Sequence, residues 1–485
     1  MYVMALNKQF IDGEWRDGKS ATVYEMTNPY NNQVIDRVKL ANKEDIDEAY
    51  RAAQRAQAEW AKVPAEEKRR IILKAADILE RRQKEAIDFL VKETGSTVIK
   101  STMEVQATID LIKETANWPD KVGVGQVFPS ADPTKENLVF REPAGVVGII
   151  SPWNWPLFLS VRAVAPAVAV GDAVVLKPDL QSQITGGFLI AEIYEEAGLP
   201  KGVLNVITAD IPEIGDAFIE HPIPRIISFT GSTAVGRHIG EVAGRNLKRV
   251  ALELGGNSPL VILEDADLDA AVDAAIFGKY IHQGQICMIT NRILVHRKHY
   301  DEFVKRFVER AKQIPYGDPA DPNVIIGPII NERQIEKILG FVELGKSEGA
   351  KLVLEGQRIG NVLTPFVFAD VKNDSQLAQS EIFGPVATII PFDTDEEGIR
   401  LANETEYGLS AAVFTKDLEH GIDIARRLES GMAHVNDQTV NITPETPFGG
   451  EKFSGLGRYG GEFAFEEFTT VKWVSVQKER RQFPF

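Results

Sequence analysis

From Gly145 onward the sequence alternates short apolar runs, rich in β-branched residues, with segments of helical periodicity. The first series of runs is VVGII, AVVLKP, VLNVIT, RIISFT and PLVIL. Strands that alternate with helices form a mostly parallel sheet that helices cover on both faces. Such a sheet binds ligands at the carboxyl ends of its strands, so the residues that follow each run are the first candidates for a functional site.

A second α/β pattern follows Glu264. Helices are predicted over Asp265–Tyr280 and His299–Gln313. Three strand-like runs then lead to a point near Gly455: PVATIIPF, SAAVFT and GMAHVN. A chain of 485 residues divides into two or three domains at roughly 100 to 200 residues each. The two patterns therefore predict two α/β units.

The region before the first strand series is predominantly helical by its periodicity. Apolar residues recur at intervals of three and four in three stretches, Lys43–Trp60, 64–95 and about 100–118. At the other end, a strand-like run, TVKWVSVQ (Thr470–Gln477), lies beyond the glycine-rich turn GLGRYGG. A strand so detached from the main pattern is predicted to pair across a subunit boundary.

Charge and cysteine content limit the possible partners. Acidic residues number 70 and basic residues 54, so the net charge is -16 and nucleic acid would be repelled. Small molecules or other copies of the chain are the expected partners. A single cysteine excludes an intrachain disulfide, and the first residues lack the pattern of a secretory signal, so a cytoplasmic location is expected. No cysteine pair or HExxH motif predicts a metal site.

The longest uncharged run, PAGVVGIISPWNWPLFLSV (143–161), is long enough to span a bilayer. Pro152, Asn154 and Pro156 lie at its centre, where missing backbone donors and a buried amide are costly in lipid. A buried strand that leads into a functional loop is therefore predicted, and no membrane contact.

Polar residues follow several of the predicted strands. Asn154 lies in the rigid loop SPWNWP, where its amide can stabilise an oxyanion or merely satisfy backbone groups in a turn. Lys177 ends AVVLKP and can bind ribose or phosphate, or remain solvated. Gly231 and Ser232 open a predicted helix whose free N–H groups suit a pyrophosphate, although an ordinary serine cap explains them nearly as well.

Two further residues are candidates for proton transfer and nucleophilic attack. Glu253 lies between two leucines, which would favour its protonated form and suit a general base, unless it faces water at a strand edge. Cys287, in GQICMIT, is either an inert buried side chain or a nucleophile that a flexible loop presents. None of the seven histidines has a spacing diagnostic of a thiol hydrolase.

These features occur in a fixed order along the chain: Asn154, Lys177, Gly231-Ser232, Glu253, Cys287, the motif EIFGP (381–385) and the motif PFGG (447–450). The series resembles the aldehyde dehydrogenase superfamily over nearly the whole chain, including the spacing of 287 minus 253, or 34, residues. The resemblance implies an α/β fold with three parts. They are a Rossmann-like dinucleotide-binding domain (1–122 and 144–254), an α/β catalytic domain (255–455) and a small β oligomerisation element (123–143 and 468–485).

The resemblance also implies a mechanism. Cys287 would add to the aldehyde, and the Asn154 amide with a backbone N–H at Cys287 would hold the oxyanion. Glu253 would activate the water that hydrolyses the resulting thioester. The residues implied for cofactor binding are Trp153, Lys177, Asp179, Gly231, Ser232, Glu381 and Phe383. Family members are commonly dimers or tetramers, so a homodimer or homotetramer is expected.

The sequence departs from many NAD-preferring relatives three residues after the lysine. They carry a Glu that takes the adenosine ribose hydroxyls, whereas this chain has Leu180 with Asp179 beside it. Repulsion of a 2′-phosphate is then weaker, although Asp179 can partly replace the Glu. The sequence predicts use of NAD with appreciable tolerance of NADP.

The substrate funnel is predicted by position along the chain. Its implied residues are Trp155, Phe158, Leu159, Arg162, Ile286, Met288, Ile442 and Phe448. Trp155 and Phe448 offer flat faces for an aromatic ring. The stretches LKPDLQSQITGG and EKFSGLGRYGGEFAFEEFTTVKW resemble the benzaldehyde and vanillin dehydrogenase branch, so an aromatic aldehyde is the predicted substrate.

Three alternatives remain at this point. Arg162 stands where many relatives carry an apolar residue, so it can instead bind the distal carboxylate of a semialdehyde or face an inter-subunit salt bridge. A thiol esterase could use the same nucleophile. A non-catalytic structural protein is the third alternative, and the joint presence of Asn154, Glu253 and Cys287 argues against it.

Overall fold

Two large sheets organise the chain, and the computed structural model describes residues 6–485. The strands of this part, numbered in chain order, are β1 (Gln9–Ile11), β2 (Glu14–Arg16), β3 (Val23–Thr27), β4 (Val34–Lys39), β5 (Gln126–Phe128), β6 (Lys135–Pro143), β7 (Val146–Ile150), β8 (Ala173–Lys177), β9 (Leu204–Val206), β10 (Ile226–Thr230), β11 (Arg249–Glu253), β12 (Ser258–Ile262), β13 (Thr290–His296), β14 (Lys351–Leu354), β15 (Arg358–Ile359), β16 (Val362–Leu363), β17 (Phe366–Ala369), β18 (Val386–Phe392), β19 (Tyr407–Gly408), β20 (Ser410–Phe414), β21 (Met432–Val435), β22 (Glu451–Lys452), β23 (Gly455–Leu456) and β24 (Thr469–Gln477). The first five residues of the predicted dinucleotide-binding domain lie outside the described residues.

The helices connect and cover these strands. They are α1 (Lys43–Trp60), α2 (Ala65–Arg81), α3 (Gln83–Thr94), α4 (Val98–Thr115), α5 (Pro156–Val170), α6 (Leu189–Ala197), α7 (Ile211–Ile214), α8 (Ala217–Glu220), α9 (Thr233–Arg245), α10 (Leu268–Tyr280), α11 (Tyr300–Lys312), α12 (Glu332–Ser347), α13 (Gln376–Gln379), α14 (Asp395–Asn403), α15 (Leu418–Arg427) and α16 (Gly461–Glu467).

The first sheet has eight strands in the order β2-β1-β9-β8-β7-β10-β11-β23. Its five central strands, from β9 to β11, are mutually parallel, which confirms the predicted α/β class. Helix α5 connects β7 to β8, and every residue of α5 is buried. β23 comes from the end of the predicted catalytic region, yet it pairs antiparallel with β11 and completes this sheet.

The second sheet has seven strands in the order β14-β17-β18-β13-β12-β20-β21. All neighbouring strands are parallel except β14 and β17. This arrangement confirms a second α/β unit, but the run PLVIL, which the sequence placed in the first series, forms β12 of this second sheet. Both sheets therefore present the carboxyl ends of parallel strands, the edge at which such sheets bind ligands.

Two helix boundaries differ from the prediction. The stretch from Pro64 to Gly95 forms two helices, α2 and α3, because the backbone breaks at Arg82 with φ -98° and ψ 15°. Gly95 ends α3 in the left-handed conformation at φ 66°. The helix predicted from Asp265 begins at Leu268, because the Asp267 carboxylate caps it by accepting from the N–H groups of residues 269 and 270.

The last strand pairs within its own chain, with the segment 123–143 that the sequence grouped with it, and its predicted pairing across a subunit boundary stays a prediction. β24 pairs antiparallel with β6 over nine residues, and β5 completes a three-stranded sheet in the order β24-β6-β5. Within the described residues the outer edge of β24 has no partner strand. Val471 and Trp473 on this strand are 56% and 64% exposed. One edge of β24 thus pairs within the chain, its other backbone edge is unpaired in the described residues, and it carries exposed apolar side chains.

The long uncharged run folds inside the first sheet layer. It supplies the end of β6, all of β7, the loop that holds Asn154 and the first turns of α5. Across residues 6–485, no helix combines the length and the apolar character needed to cross a membrane.

Candidate active site

A cleft of about 650 Å³ opens where the carboxyl ends of β7 and β10 meet the loop that carries Cys287. Most of the predicted catalytic and cofactor residues line it, namely Trp153, Asn154, Gly231, Ser232, Cys287, Glu381 and Phe383. Leu159 is the member of the predicted substrate set that lines the same cleft. The parallel topology thus brings together residues that lie far apart in the sequence.

The loop before Cys287 has an unusual backbone that its side chains hold in place. His282 and Gln283 both have positive φ angles, 51° and 56°, which are strained for residues other than glycine. The Gln283 amide donates to the Pro328 carbonyl at 2.9 Å. The Gln285 side-chain oxygen accepts from the Ile330 N–H at 3.1 Å. These contacts hold the loop before Cys287 against the segment that precedes α12.

Gly256 permits the close approach of the two loops of the site. A Cβ atom on Gly256 would lie 2.1 Å from the carbonyl oxygen of Cys287, so no other residue fits there without a backbone shift. Gly256 follows β11, which ends at Glu253. The glycine therefore sets the separation between the segment of the candidate base and the segment of the thiol.

Asn154 is buried at the mouth of the cleft, just before α5. Its side-chain nitrogen donates to the Gln285 carbonyl at 3.0 Å. The alternative in which Asn154 satisfies backbone groups is thus present in part. A side-chain amide has two N–H donors, so one donor remains beside Cys287 for a further acceptor.

Glu253 ends β11 and is only 2% exposed. The alternative in which it faces water at a strand edge was therefore wrong. Neither carboxyl oxygen has a hydrogen-bond partner among the described residues. Burial raises the pKa of Glu253 to about 8, while the charges of Arg162 and Arg458 lower it and that of Glu467 raises it. The carboxyl group is poised to exchange a proton near neutral pH.

Cys287 lines the cleft and is partly exposed. Burial of the surrounding site raises the pKa of the thiol to about 12. The Arg162 charge lowers this pKa, and the charges of Glu253 and Glu381 raise it. Since the thiol is protonated at neutral pH in this environment, it must transfer its proton as it attacks a substrate.

Arg162 projects from α5 into the interior and is 3% exposed. The centre of its guanidinium lies 4.4 Å from the Phe448 ring and 4.6 Å from the Tyr459 ring. Its Nη2 donates to the Thr230 hydroxyl at 3.3 Å. Thr230 on β10 pairs with Glu253 on the adjacent strand β11. The alternative in which Arg162 faces a subunit boundary was therefore wrong.

The other residues of the predicted substrate funnel form an apolar wall behind the thiol. Trp155, Phe158, Leu159, Ile286, Met288 and Phe448 belong to one buried cluster, against which Cys287 and Ile442 pack. The Trp155 and Phe158 rings meet edge to face at 6.4 Å. Leu159 is the member of this wall that lines the cleft.

A second opening at the same sheet edge holds the remaining cofactor candidates. It is about 800 Å³, and both Lys177 and Asp179 line it. Asp179 accepts from the Gln181 N–H at 2.8 Å. Burial lowers the pKa of Lys177 and raises the pKa of Asp179. The pair forms a polar site at the end of β8.

Gly231 and Ser232 line the main cleft at the start of α9, a helix of 13 residues. The Ser232 hydroxyl caps this helix by accepting from the Val235 N–H at 3.5 Å. The ordinary serine cap is therefore present, and it leaves the helix N-terminus open to an anion. The Trp153 and Phe383 rings meet edge to face at 5.7 Å.

Glu381 lies on the opposite wall, where it accepts from the Gly256 N–H at 3.0 Å. Burial raises its pKa. Sequence reasoning did not identify two residues of α12 that line the same cleft, Gln334 and Lys337. They lie on an amphipathic helix without a motif, so their sequence carried no signal.

In the described part of the chain, no three His, Cys, Asp or Glu side chains form a cluster suited to a metal ion.

Comparisons with known proteins agree with this geometry. The model of the aldehyde dehydrogenase family matches residues 15–474. Benzaldehyde dehydrogenase YfmT of Bacillus subtilis is 49% identical over 99% of this chain and 99% of its own length. Vanillin dehydrogenase of Corynebacterium glutamicum is 48% identical over 97% of this chain and 98% of its own length. The crystal structure of an NAD-dependent benzaldehyde dehydrogenase from Corynebacterium glutamicum superposes with a TM-score of 0.91 at 44% identity, covering 98% of this chain and all of the other. The chain described here belongs to the aldehyde dehydrogenase family.

Proposed function

We propose that this protein oxidises an aromatic aldehyde to the carboxylic acid with NAD, and accepts NADP less well. The observation that carries the proposal is the meeting of the Cys287 thiol and the Asn154 amide at one cleft, with Glu253 close enough for its charge to act on the thiol. The named relatives act on benzaldehyde and vanillin. An apolar wall behind the thiol suits an aromatic ring.

In the first step the Cys287 thiol releases its proton to solvent in the cleft, and the sulfur adds to the carbonyl carbon of the aldehyde. The carbonyl oxygen becomes an oxyanion, which the free N–H of the Asn154 amide and the backbone N–H of Cys287 stabilise. The addition makes the carbon tetrahedral and electron-rich, so its hydrogen can leave as hydride. A thioester on Cys287 remains.

In the second step Glu253 removes a proton from water as the water attacks the thioester carbon. The C–S bond breaks, the carboxylic acid leaves, and Cys287 returns as a thiolate that takes up a proton. A base with a pKa of about 8 is matched to this task near neutral or mildly alkaline pH. Its burial keeps bulk water from competing for the carboxylate.

The residues that would hold NAD line two openings, one at the end of β8 and one at the ends of β7 and β10. Lys177 and Asp179 would take the adenosine ribose, and the N–H groups near Gly231 and Ser232 would take the pyrophosphate. Glu381 would take the nicotinamide ribose, with Trp153 and Phe383 packing nearby. When bound, NAD accepts the hydride.

We assign residues 1–122 and 144–254 to a dinucleotide-binding domain and residues 255–455 to a catalytic domain, because both openings lie at the ends of strands of the first sheet. Leu180 cannot repel a 2′-phosphate, and Asp179 is engaged with the Gln181 N–H, so discrimination against NADP is incomplete. We expect a higher kcat/KM with NAD than with NADP, and measurable turnover with both.

A substrate panel tests the proposal. Benzaldehyde, vanillin, succinic semialdehyde and hexanal are each assayed with NAD and with NADP, and reduced nicotinamide is followed. We expect the two aromatic aldehydes to have the highest kcat/KM. A preference for succinic semialdehyde would make Arg162 a carboxylate anchor and would overturn the aromatic assignment.

The geometry of Arg162 argues against such an anchor, because Phe448 and Tyr459 cover its guanidinium. A thiol esterase is the other alternative. It predicts hydrolysis of an activated aryl ester without cofactor and no reduced nicotinamide from any aldehyde in the panel.

The charge of Arg162 is expected to set the pH dependence of the reaction. Arg162 lowers the pKa of both Glu253 and Cys287, and both groups react in their deprotonated forms. Replacing Arg162 with Met removes a buried positive charge, so both pKa values rise and the ascending limb of the kcat-against-pH profile moves to higher pH. Arg458 still lowers the pKa of Glu253 in that variant, while Glu467 and Glu381 oppose ionisation.

The matched control is Arg162→Lys, which keeps the charge but loses the planar contact with the two rings. Its pH profile should remain close to that of the wild type even if its activity falls. Equal displacement of the profile in both variants would show that packing, and not charge, is responsible.

We propose that the chain assembles as a homodimer or homotetramer through the sheet of β5, β6 and β24 (123–143 and 468–485). The free edge of β24 and its exposed Val471 and Trp473 side chains support this assignment. Light scattering should return two or four times the chain mass, and a monomer would refute the proposed assembly.

We also place the enzyme in the cytoplasm, where reducing conditions keep Cys287 as a thiol. Cell fractionation tests this location.

A further inference from the structure

A buried ion pair in α4 lies directly behind the active-site loop. Lys100 and Glu104 are separated by one helical turn, and both side chains are fully buried. Removing two charges from water is costly unless hydrogen bonds satisfy their polar atoms. No motif of the sequence marks either residue, and neither takes part directly in the proposed reaction.

All three protons of the Lys100 ammonium have acceptors. They go to the Ser96 hydroxyl at 3.0 Å, to the Glu104 carboxylate and to the backbone carbonyl of Asn154 at 2.8 Å. The ammonium also lies 4.9 Å from the centre of the Trp155 ring. Lys100 therefore binds the peptide bond between Asn154 and Trp155.

Glu104 binds the other side of the same turn. One of its oxygens accepts from the N–H groups of Leu157 and Phe158 at 2.9 Å and 3.2 Å. These are free donors in the first turn of α5, where Pro156 supplies no N–H. The ion pair thus fixes the backbone on both sides of the bend at Trp155.

This arrangement limits where the Asn154 amide can point. With its backbone held in this orientation, the Asn154 side chain donates to the Gln285 carbonyl, two residues before Cys287. Stabilisation of an oxyanion depends on donors that are already in position when charge develops. A displacement of about 1 Å in such a group can cost about 10²-fold in rate.

We propose that Lys100 is a positioning residue that, paired with Glu104, orients the Asn154 amide toward the oxyanion formed at Cys287. The inference rests on the proposed aldehyde oxidation. In that reaction, stabilisation of the oxyanion then depends on Lys100 of α4, although Lys100 does not touch the substrate.

The test is a double-mutant cycle on the full-length enzyme. Lys100→Met combined with Glu104→Gln removes both charges together, and the glutamine oxygen can still accept from the α5 amides. We expect kcat to fall about 10-fold to 100-fold, with the KM values for aldehyde and NAD within about 2-fold of wild type. In an Asn154→Ala background the same pair should cause no further loss beyond about 2-fold, because Lys100 acts through Asn154.

A second readout separates positioning from general damage. Alkylation of Cys287 by iodoacetamide forms no oxyanion, so its rate should be the same in the wild type and in the paired variant. The control is Arg82→Met with Glu192→Gln, another partly buried pair at 2.9 Å between a helix boundary and α6. That variant should keep wild-type kcat.

The proposal fails if the paired variant retains wild-type kcat, if its loss multiplies with that of Asn154→Ala, or if alkylation slows in parallel. If the paired variant does not fold, Lys100→Arg decides by the same cycle, since it keeps the charge beside Glu104 but displaces the donor from Asn154. The cycle uses whichever aldehyde of the panel the wild type oxidises best. Failure of the aromatic assignment therefore appears in the panel and not in the cycle.

Discussion

Replacing Cys287 with alanine is expected to abolish aldehyde oxidation, with kcat reduced by at least about 10⁴-fold. Without the sulfur the carbonyl carbon stays trigonal, and its hydrogen cannot leave as hydride. No other cysteine can substitute, because Cys287 is the only one in the chain. The measurement is the rate of formation of reduced nicotinamide with the best aldehyde of the panel.

The single cysteine also supplies the control. Iodoacetamide should label the wild type once per chain and inactivate it in proportion to labelling, and it should not label Cys287→Ala. Thermal unfolding checks that the variant is folded. Substantial activity in a folded Cys287→Ala variant would mean that the thiol is an inert buried group.

Replacing Glu253 with glutamine is expected to separate the two halves of the reaction. Hydride transfer precedes the hydrolysis that Glu253 assists, so the variant should form one equivalent of reduced nicotinamide per active site in a rapid burst. Steady-state turnover should then be about 10²-fold to 10⁴-fold slower than in the wild type, which is the usual range for loss of a general base. Rapid-mixing absorbance measurements detect both phases.

Two further measurements identify the blocked step. Hydroxylamine attacks a thioester without a protein base, so it should restore turnover in the glutamine variant. The Glu253 charge raises the pKa of Cys287, and its removal should therefore increase the rate of iodoacetamide alkylation at neutral pH. A slow variant without a burst would place Glu253 before hydride transfer and contradict the proposed role.

Local periodicity was sufficient to predict most of the fold. The apolar spacing of residues 43–60 predicted α1, and the β-branched runs predicted β7 to β10 of the first sheet and β12, β18, β20 and β21 of the second. The central strand of the second sheet, β13, and the strand that ends at Glu253, β11, were not among the predicted runs. The break between α2 and α3 was missed because Arg82 is an ordinary helix former, without the glycine or proline that usually marks such a break. The sequence grouped 468–485 with 123–143, but it did not predict the pairing of β24 with β6, because strand pairing depends on distant segments.

The residues of the candidate site were predicted from their order along the chain, but their environments were not. The sequence left open whether Glu253 faces water and whether Cys287 is accessible. The fold buries Glu253 without hydrogen-bond partners in the described region and places Cys287 at the cleft. Burial and neighbouring charges set both pKa values, and these arise from segments that no local pattern connects.

The sequence by itself determined which chemical groups this protein has, and in which order its strands deliver them to one sheet edge. Only the tertiary structure decided what surrounds each group. Arg162 was open to three interpretations until Phe448 and Tyr459 enclosed it, and Lys100 had no assigned role until it met the Asn154 carbonyl, 54 residues along the chain. The direction of a helical side chain is fixed by the elements packed against it, and that packing is a property of the whole fold.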